Sequence, residues 1–221
     1  MTTGDEPMLP QPADDNAPMI SGRGTKIIAD ARGAYLAGNL KALVEFMNED
    51  QHKRFKALLW QEAVTVLRKT FHMVGLNDLT MHPVLEALDH TLTDPSEENT
   101  EQLVRMFSIF YDPVTEEDYS SPLIEEIYRI TLDDLRPYRI GSCASDLINI
   151  IRGDSSWAAT AFVTLIVHIW IVSTENEIPY NFEWTAISRQ DAIQAAHRWS
   201  VETAWALLTS NRIRTFAKVA S

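Results

Sequence analysis

Hydrophobic residues recur along most of the chain at the three- and four-residue spacing that buries one face of an α-helix. A clear example is the stripe formed by Leu40, Leu43, Val44 and Met47. Directly after it, the Asn48–Gln51 run (NEDQ) has the form of a capping box, in which side-chain acceptors meet the free amides of a first helical turn. No pair of alternating segments joined by a hairpin turn occurs. The pattern therefore predicts an all-α fold of about eight helices.

Proline and glycine positions predict where several helices begin and end. Gly75 is typical of the residue after a helix, and Pro83 is typical of a first helical turn. The Asp94–Glu97 run (DPSE) combines an N-cap, a proline at the first helical position and an acid three residues later, which predicts a helix start. Further helices are predicted to begin at Ser121 and at Ser188.

The most apolar stretch runs from Trp157 to Val172 and contains no Asp, Glu, Lys or Arg. Its β-branched residues also allow a buried strand, but the helical pattern around it favours a helix, which Asp154 can cap. A helix that is apolar on all faces is typical of a central element covered by its neighbours. The stretch is shorter than the roughly 20 residues of a membrane span, so we expect no membrane association. The predicted fold is a single irregular bundle around a central helix over residues 155–173.

Residues 1–24 are rich in proline, glycine and acidic residues and lack a periodic apolar pattern, so they are predicted to form a disordered tail. They also lack the basic start and apolar core of a signal peptide. Residues 25–221 are then expected to form one helical domain. Cys143 is the single cysteine, which excludes an internal disulfide and a multi-cysteine metal site. A reducing, cytoplasmic location is the expectation from this cysteine usage.

The chain carries 31 acidic and 19 basic residues, a formal net charge of −12, which speaks against direct nucleic-acid binding. Fourteen of the acids lie between Glu86 and Asp134, where only Arg105 and Arg129 oppose them. One interpretation is a set of solvated helix faces that keeps the protein soluble. The sharper interpretation is a docking surface for a basic protein partner. The candidate partner-binding acids are Glu116, Glu117, Asp118, Glu125 and Glu126.

Five of the six tryptophans lie between Trp157 and Trp205. Large aromatic residues on the last helix, such as Trp199, are of the type found at interface hot spots, but they are more commonly ordinary core residues. Trp184 differs, because it follows Tyr180 and Phe182 in a segment interrupted by proline. An aromatic residue on such a loop suits binding, so Trp184 is predicted to anchor the partner.

One group of residues has the spacing of metal ligands on a single helix face. His82, Glu86 and His90 fall at i, i+4 and i+8, and imidazole with carboxylate suits zinc, iron or manganese. However, Pro83 disfavours helical geometry at His82, and the apolar residues of this segment lie on a different face. We interpret the group as a solvent-facing polar stripe and predict no metal.

Two residues are candidates for chemistry at a pocket. His168 is the only titratable side chain in the apolar helix, and Glu175 could share its face. Cys143 lies at a predicted helix start, a location that can lower a thiol pKa and create a nucleophile. The more common outcome for both residues is burial in the core. Neither a P-loop nor a dinucleotide-binding glycine pattern occurs, so no cofactor is predicted.

These patterns predict a non-catalytic helical protein that acts by protein–protein interaction, as a regulator, an inhibitor or a complex subunit. Its acidic segment would face a basic partner. The alternative is a small-molecule-binding helical enzyme with a pocket near His168 or Cys143. A second rival is membrane association through residues 157–172.

Overall fold

The computed structural model describes residues 22–108, 110, 140–174 and 188–210, and within them the chain forms α-helices and no strand. The predicted all-α class is therefore confirmed. The eight helices of the described residues are α1 (Gly22–Leu36), α2 (Leu40–Glu45), α3 (Glu49–Met73), α4 (Asp78–Thr93), α5 (Glu97–Ser108), α6 (Cys143–Arg152), α7 (Ser155–Thr174) and α8 (Arg189–Thr209). Helix α1 begins slightly earlier than residue 25, the predicted start of the helical domain.

Side-chain caps fix where several of these helices begin. The side-chain oxygen of Asn48 accepts from the amide of Gln51, and the Gln51 side chain accepts from the amide of Asn48, both at 2.9 Å. The predicted capping box of α3 is thus confirmed. Ser188 and Asp191 form a second reciprocal pair at the start of α8. Gly75 follows α3 with φ +88°, a conformation that glycine adopts without steric cost.

Two predicted helix starts are displaced in the structure. Helix α4 already begins at Asp78, so Pro83 lies inside it and His82 is helical, contrary to the prediction from sequence. The proline removes only one amide near the N-terminal end, so the rest of the helix can still form. Helix α5 begins at Glu97, where the Ser96 hydroxyl accepts from the amide of Asn99, so Ser96 takes the capping position predicted for Asp94.

Helix α7 is the centre of the bundle and packs against α2, α3, α6 and α8. The predicted central apolar helix is therefore confirmed. Its fully covered side chains are Ala158, Ala159, Phe162, Leu165, Ile166, Ile169 and Val172. Phe162 meets Trp199 of α8 with ring centroids 5.1 Å apart, and Trp199 is buried as predicted.

One side of α7 remains open to solvent. Trp157 is 55% exposed, and Thr160 and Thr164 are exposed one and two turns further along. The hydroxyl of each threonine donates to the carbonyl oxygen four residues earlier, so these polar groups are satisfied within the helix. Helix α7 therefore has an uncharged outer face rather than an apolar surface on all sides.

By length and composition alone, α7 could cross a membrane. The window Ser155–Val172 has a mean hydropathy of 1.7, and half of it is buried inside the bundle. The helix is longer than the apolar stretch because serine and threonine residues extend both of its ends. A core helix passes the same test of length and composition.

The connection between α6 and α7 is very tight. A Cβ atom at Gly153 would lie 2.6 Å from both the carbonyl oxygen of Asn149 and the side chain of Trp157, so only glycine fits here without a shift. Asp154 then caps α7, as predicted, because its carboxylate accepts from the amide of Trp157 at 2.8 Å. This junction brings the last carbonyls of α6 next to the first residues of α7.

Candidate functional site

The described part of the acidic segment is an exposed surface on α4, α5 and the turn between them. Every acidic side chain there whose burial is described is exposed to solvent. We call this group the acidic surface, and its members are Glu86, Asp89, Asp94, Glu97, Glu98 and Glu101. Helices α4 and α5 contain no lysine and a single arginine, Arg105.

The sequence of α5 explains why its acids face outward. Thr100, Leu103 and Phe107 form its buried side, and the glutamates occupy the other faces. Glu97 and Glu98 lie in the first helical turn, where the partial positive charge of the helix end favours carboxylates. The glutamates can therefore stay exposed without destabilising the helix that carries them.

Hydrogen bonds hold the turn between α4 and α5. The Asn99 side chain donates to the carbonyl oxygen of Asp94 at 2.8 Å, and the Thr91 hydroxyl donates to the carbonyl oxygen of Asn99 at 3.2 Å. Arg152 of α6 donates to the hydroxyl of Thr100, which ties α5 to the central part of the bundle. The acidic surface thus rests on a fixed helical frame.

No carboxylate of the acidic surface forms an ion pair with a basic side chain of the described residues. The ion pairs found there lie elsewhere and join Glu49 to Lys53 and Asp146 to His168. Carboxylates that share one face of a protein repel each other, and cations or a basic partner relieve this repulsion. Within the described residues, the surface therefore carries carboxylates that form no ion pair.

The residues predicted to bind a partner lie outside the described part of the chain. They are Glu116, Glu117, Asp118, Glu125, Glu126 and Trp184. The structure therefore places only the first part of the acidic segment, up to Glu101. The predicted role of the six residues stays a prediction.

The residues with metal-like spacing lie on α4 with exposed side chains. His82, Glu86 and His90 are all helical, although Pro83 disfavours helical geometry at His82. Among the described residues, no group of three or more His, Cys, Asp or Glu side chains is arranged to hold a metal ion. The three side chains belong to the polar outer face of α4.

His168 is paired with a carboxylate from another helix. Its Nδ1 lies 2.9 Å from Oδ2 of Asp146, which belongs to the first turn of α6. Glu175, the carboxylate that could share its face by spacing, lies outside the described part of the chain. Asp146 is almost fully buried, whereas the His168 side chain is 32% exposed. The arrangement orients the imidazole and leaves part of its ring open to solvent.

Cys143 is completely buried at the start of α6. Burial raises the pKa of its thiol far above the usual range, and the nearby Asp146 carboxylate raises it further. A helix start was expected to lower this pKa, but desolvation of the thiolate outweighs that effect. Cys143 is therefore held protonated, which opposes a nucleophilic role.

The structure contains an open cavity of about 490 Å³ between α2, α3 and α7, whose surface is mainly apolar although all of its lining residues except Val44 carry polar side chains. We call it the α2–α3–α7 cavity. Its inner polar side chains are buried or half-buried, and they are His52, Lys56, Ser155 and Ser156. Its rim is formed by exposed charged side chains, which are Lys41, Glu45 and Asp154.

Hydrogen bonds position the inner side chains of this cavity. Nδ1 of His52 lies 2.8 Å from the hydroxyl oxygen of Ser155, which is 3% exposed. The ammonium group of Lys56 donates to the carbonyl oxygens of Ile151 and Gly153 at 2.8 and 3.1 Å. Lys56 thereby satisfies the end of α6 while it lines the cavity.

Two smaller cavities lie elsewhere on the bundle. One has a volume of about 420 Å³ between α5 and α6, and it is lined by Ser142 and Ala144 but not by Cys143 between them. The other has about 300 Å³ and lies where the α1–α2 turn meets α7 and His197 of α8. His168 lines none of these three cavities.

Sequence reasoning missed the groups that the fold brings together from distant positions. His52 and Ser155 are 103 residues apart, and no local pattern connects them. Asp146 did leave a signal, because it interrupts the apolar stripe of α6 between Cys143 and Ile150. A carboxylate on a buried helix face requires a hydrogen-bonding or cationic partner, and His168 of the apolar helix is a candidate for that partner.

No family model, no curated protein and no solved structure matches this chain. Its function is therefore inferred from the side chains described above.

Proposed function

We propose that this chain is a non-catalytic helical protein of the cytoplasm that binds a basic protein partner through its acidic segment. It would act as a regulator, an inhibitor or a subunit of a complex, without a cofactor and without direct contact to nucleic acid or membrane. The observation that carries the proposal is the acidic surface, whose carboxylates are exposed and have no basic partner among the described residues.

Electrostatics supports a docking role for this surface. Carboxylates collected on one side of a protein create a field that steers a cationic partner during diffusion. The same carboxylates repel one another in the free protein, and a basic partner would relieve that repulsion. Helices α4 and α5 hold their acids on a helical backbone, so little backbone conformational entropy would be lost on binding.

The alternative of an enzyme with a pocket near His168 or Cys143 has weaker support. Cys143 is buried, and its raised pKa keeps the thiol protonated. The oriented pair of Asp146 and His168 is suited to proton transfer, yet His168 lines none of the three cavities described above. We therefore prefer the docking function.

The test compares partner binding by two triple variants of the full chain. Glu97→Gln, Glu98→Gln and Glu101→Gln together remove half of the acidic surface without introducing repulsion at the start of α5. Asp30→Asn, Glu45→Gln and Asp50→Asn remove the same charge from exposed acids on α1, α2 and α3. Affinity for a partner captured from the native host should fall in the first variant and stay near wild type in the control.

Two further variants address the predicted residues outside the described part. Reversal of Glu116, Glu117 and Asp118 to lysine should slow association, and Trp184→Ala should raise the dissociation rate if this residue is an anchor. A captured partner that binds all variants equally well would contradict the proposal and leave the acids a role in solubility alone.

A further inference from the structure

We propose that the α2–α3–α7 cavity binds a small molecule through an oxyanion, which is either a carboxylate or a phosphate group. This site is separate from the acidic surface and is formed by different helices. Its volume of about 490 Å³ falls within the range of roughly 300–1,000 Å³ that is usual for small-ligand sites.

Three side chains in the inner part of the cavity can donate hydrogen bonds to a ligand. Lys56 has three N–H groups and uses two of them on the carbonyl oxygens of α6, which leaves one for a ligand. The hydroxyl of Ser156 and Nε2 of His52 form no hydrogen bond to the described residues, and Nε2 carries a proton when Nδ1 accepts from the Ser155 hydroxyl, so both groups can donate to a ligand. A bound group that accepts several hydrogen bonds would match this surface.

The carboxylates at the cavity define which part of the ligand can be anionic. Asp154 directs one carboxylate oxygen at the amide of Trp157, where it caps α7. Glu45 is exposed and lies at the rim with Lys41. We therefore expect a ligand whose anionic end lies inside, near Lys56 and His52, and whose outer end is neutral or cationic.

The position of Lys56 gives its charge more effect than that of a surface lysine. Lys56 is half-buried, so its interaction with an anion would be screened less by solvent than that of the exposed Lys53. Lys53 lies three residues earlier on α3, outside the cavity lining, and is paired with Glu49 at 2.8 Å. These two residues therefore form a matched pair for comparison.

The experiment is a titration of the full, uniformly ¹⁵N-labelled chain with inorganic phosphate and, separately, with acetate. Sodium chloride at the same ionic strength serves as the reference. Binding in the cavity should shift the amide signals of Ser155 and Ser156 in a saturable manner with phosphate, acetate or both. The ion that binds more tightly identifies the class of oxyanion.

Two variants separate binding in the cavity from general charge effects. Ser156→Glu places a carboxylate inside the cavity and should weaken ion binding by at least about tenfold through repulsion. An acid in the first turn of α7 also suits the helix end, so this variant should fold. Thr160→Glu adds the same charge one turn later, outside this cavity, and should bind like wild type. Lys56→Gln should weaken binding and Lys53→Gln should not.

The proposal is overturned if neither ion shifts these amides beyond the sodium chloride reference. It is also overturned if wild type and Ser156→Glu, with an intact spectrum, respond equally. The comparison of Ser156→Glu with Thr160→Glu keeps the test valid even if Lys56→Gln fails to fold.

Discussion

At the scale of single residues, the surroundings of Cys143 determine how its thiol behaves. The side chain is covered completely, and neither water nor a cation stabilises a thiolate there. The position at the start of α6 suggested the opposite from sequence, because an exposed helix end does lower a thiol pKa. Burial is a property of the whole fold and could not be read from the residues next to Cys143.

We expect the Cys143 thiol to be unreactive in the folded protein. A thiol reagent at about pH 8 should label the native chain far more slowly than the chain unfolded in denaturant, because labelling requires an exposed thiolate. Rapid stoichiometric labelling of the folded protein would contradict the buried position.

The same residue should make stability depend on pH. The folded-state pKa of the thiol is raised above its unfolded value, so the neutral thiol favours the folded state. This contribution is fully present below the unfolded pKa of about 8.5 and declines as the pH rises above it. Between about pH 8 and 10, the free energy of unfolding should therefore fall more in wild type than in Cys143→Ala. Equal slopes in the two denaturation series would contradict this.

At the scale of helices, the sequence predicted a helix start correctly where a nearby side chain accepts hydrogen bonds from the first amides of that helix. The capping box at Asn48, the helix start at Ser188 and the cap at Asp154 all occur as the sequence indicated. The predicted start of α4 was wrong, because proline is typical of the first helical turn and this preference placed the start near Pro83. The structure begins the helix at Asp78 and keeps the proline inside it. Packing of Met81 and Val84 on the bundle outweighs the local preference.

The cap of α3 provides a direct measure of such a local signal. Asn48→Ala should lower the free energy of unfolding by about 1 kcal/mol, because the amide of Gln51 loses the side-chain oxygen that accepts its hydrogen bond and the free amides of the first turn lose their cap. Asn48→Gly should cost only a few tenths of a kcal/mol, since glycine exposes these amides to water. Chemical denaturation of the three proteins would show the order, and an Ala variant as stable as wild type would contradict the capping role.

The central role of α7 predicts a large contrast between its two sides. Phe162→Ala should destabilise the fold by about 3–5 kcal/mol, because the ring is fully buried against Trp199. Thr164→Ala on the open face should change stability by less than about 0.5 kcal/mol. Urea denaturation followed by circular dichroism measures both effects. Similar losses for the two variants would mean that α7 is not buried on one side as described.

At the scale of the whole molecule, the sequence predicted the fold better than the sites. Helical periodicity and caps are local, and they predicted an all-α bundle around the apolar helix. The α2–α3–α7 cavity and the pair of Asp146 and His168 arise from contacts between distant helices, which local patterns do not encode. The acidic segment was visible in the sequence because charge needs no knowledge of the fold.

At this scale, the main feature of the charge distribution is the concentration of acidic residues in one segment of the chain. In the sequence, the acidic segment continues beyond the acids of α4 and α5, and residues 111–134 add eight further acidic residues to it. Exposed charges act over about 8 Å at physiological ionic strength and lose this reach as salt is added. A partner steered by them should therefore meet the protein more slowly at high salt.

The most direct test is the association rate of the captured partner as a function of salt concentration. We predict that this rate falls several-fold between about 50 and 500 mM salt, while the dissociation rate changes much less. The variant with Glu97, Glu98 and Glu101 replaced by glutamine should show a slower association at low salt and a weaker dependence on salt. An association rate that ignores both salt and this triple substitution would contradict the account.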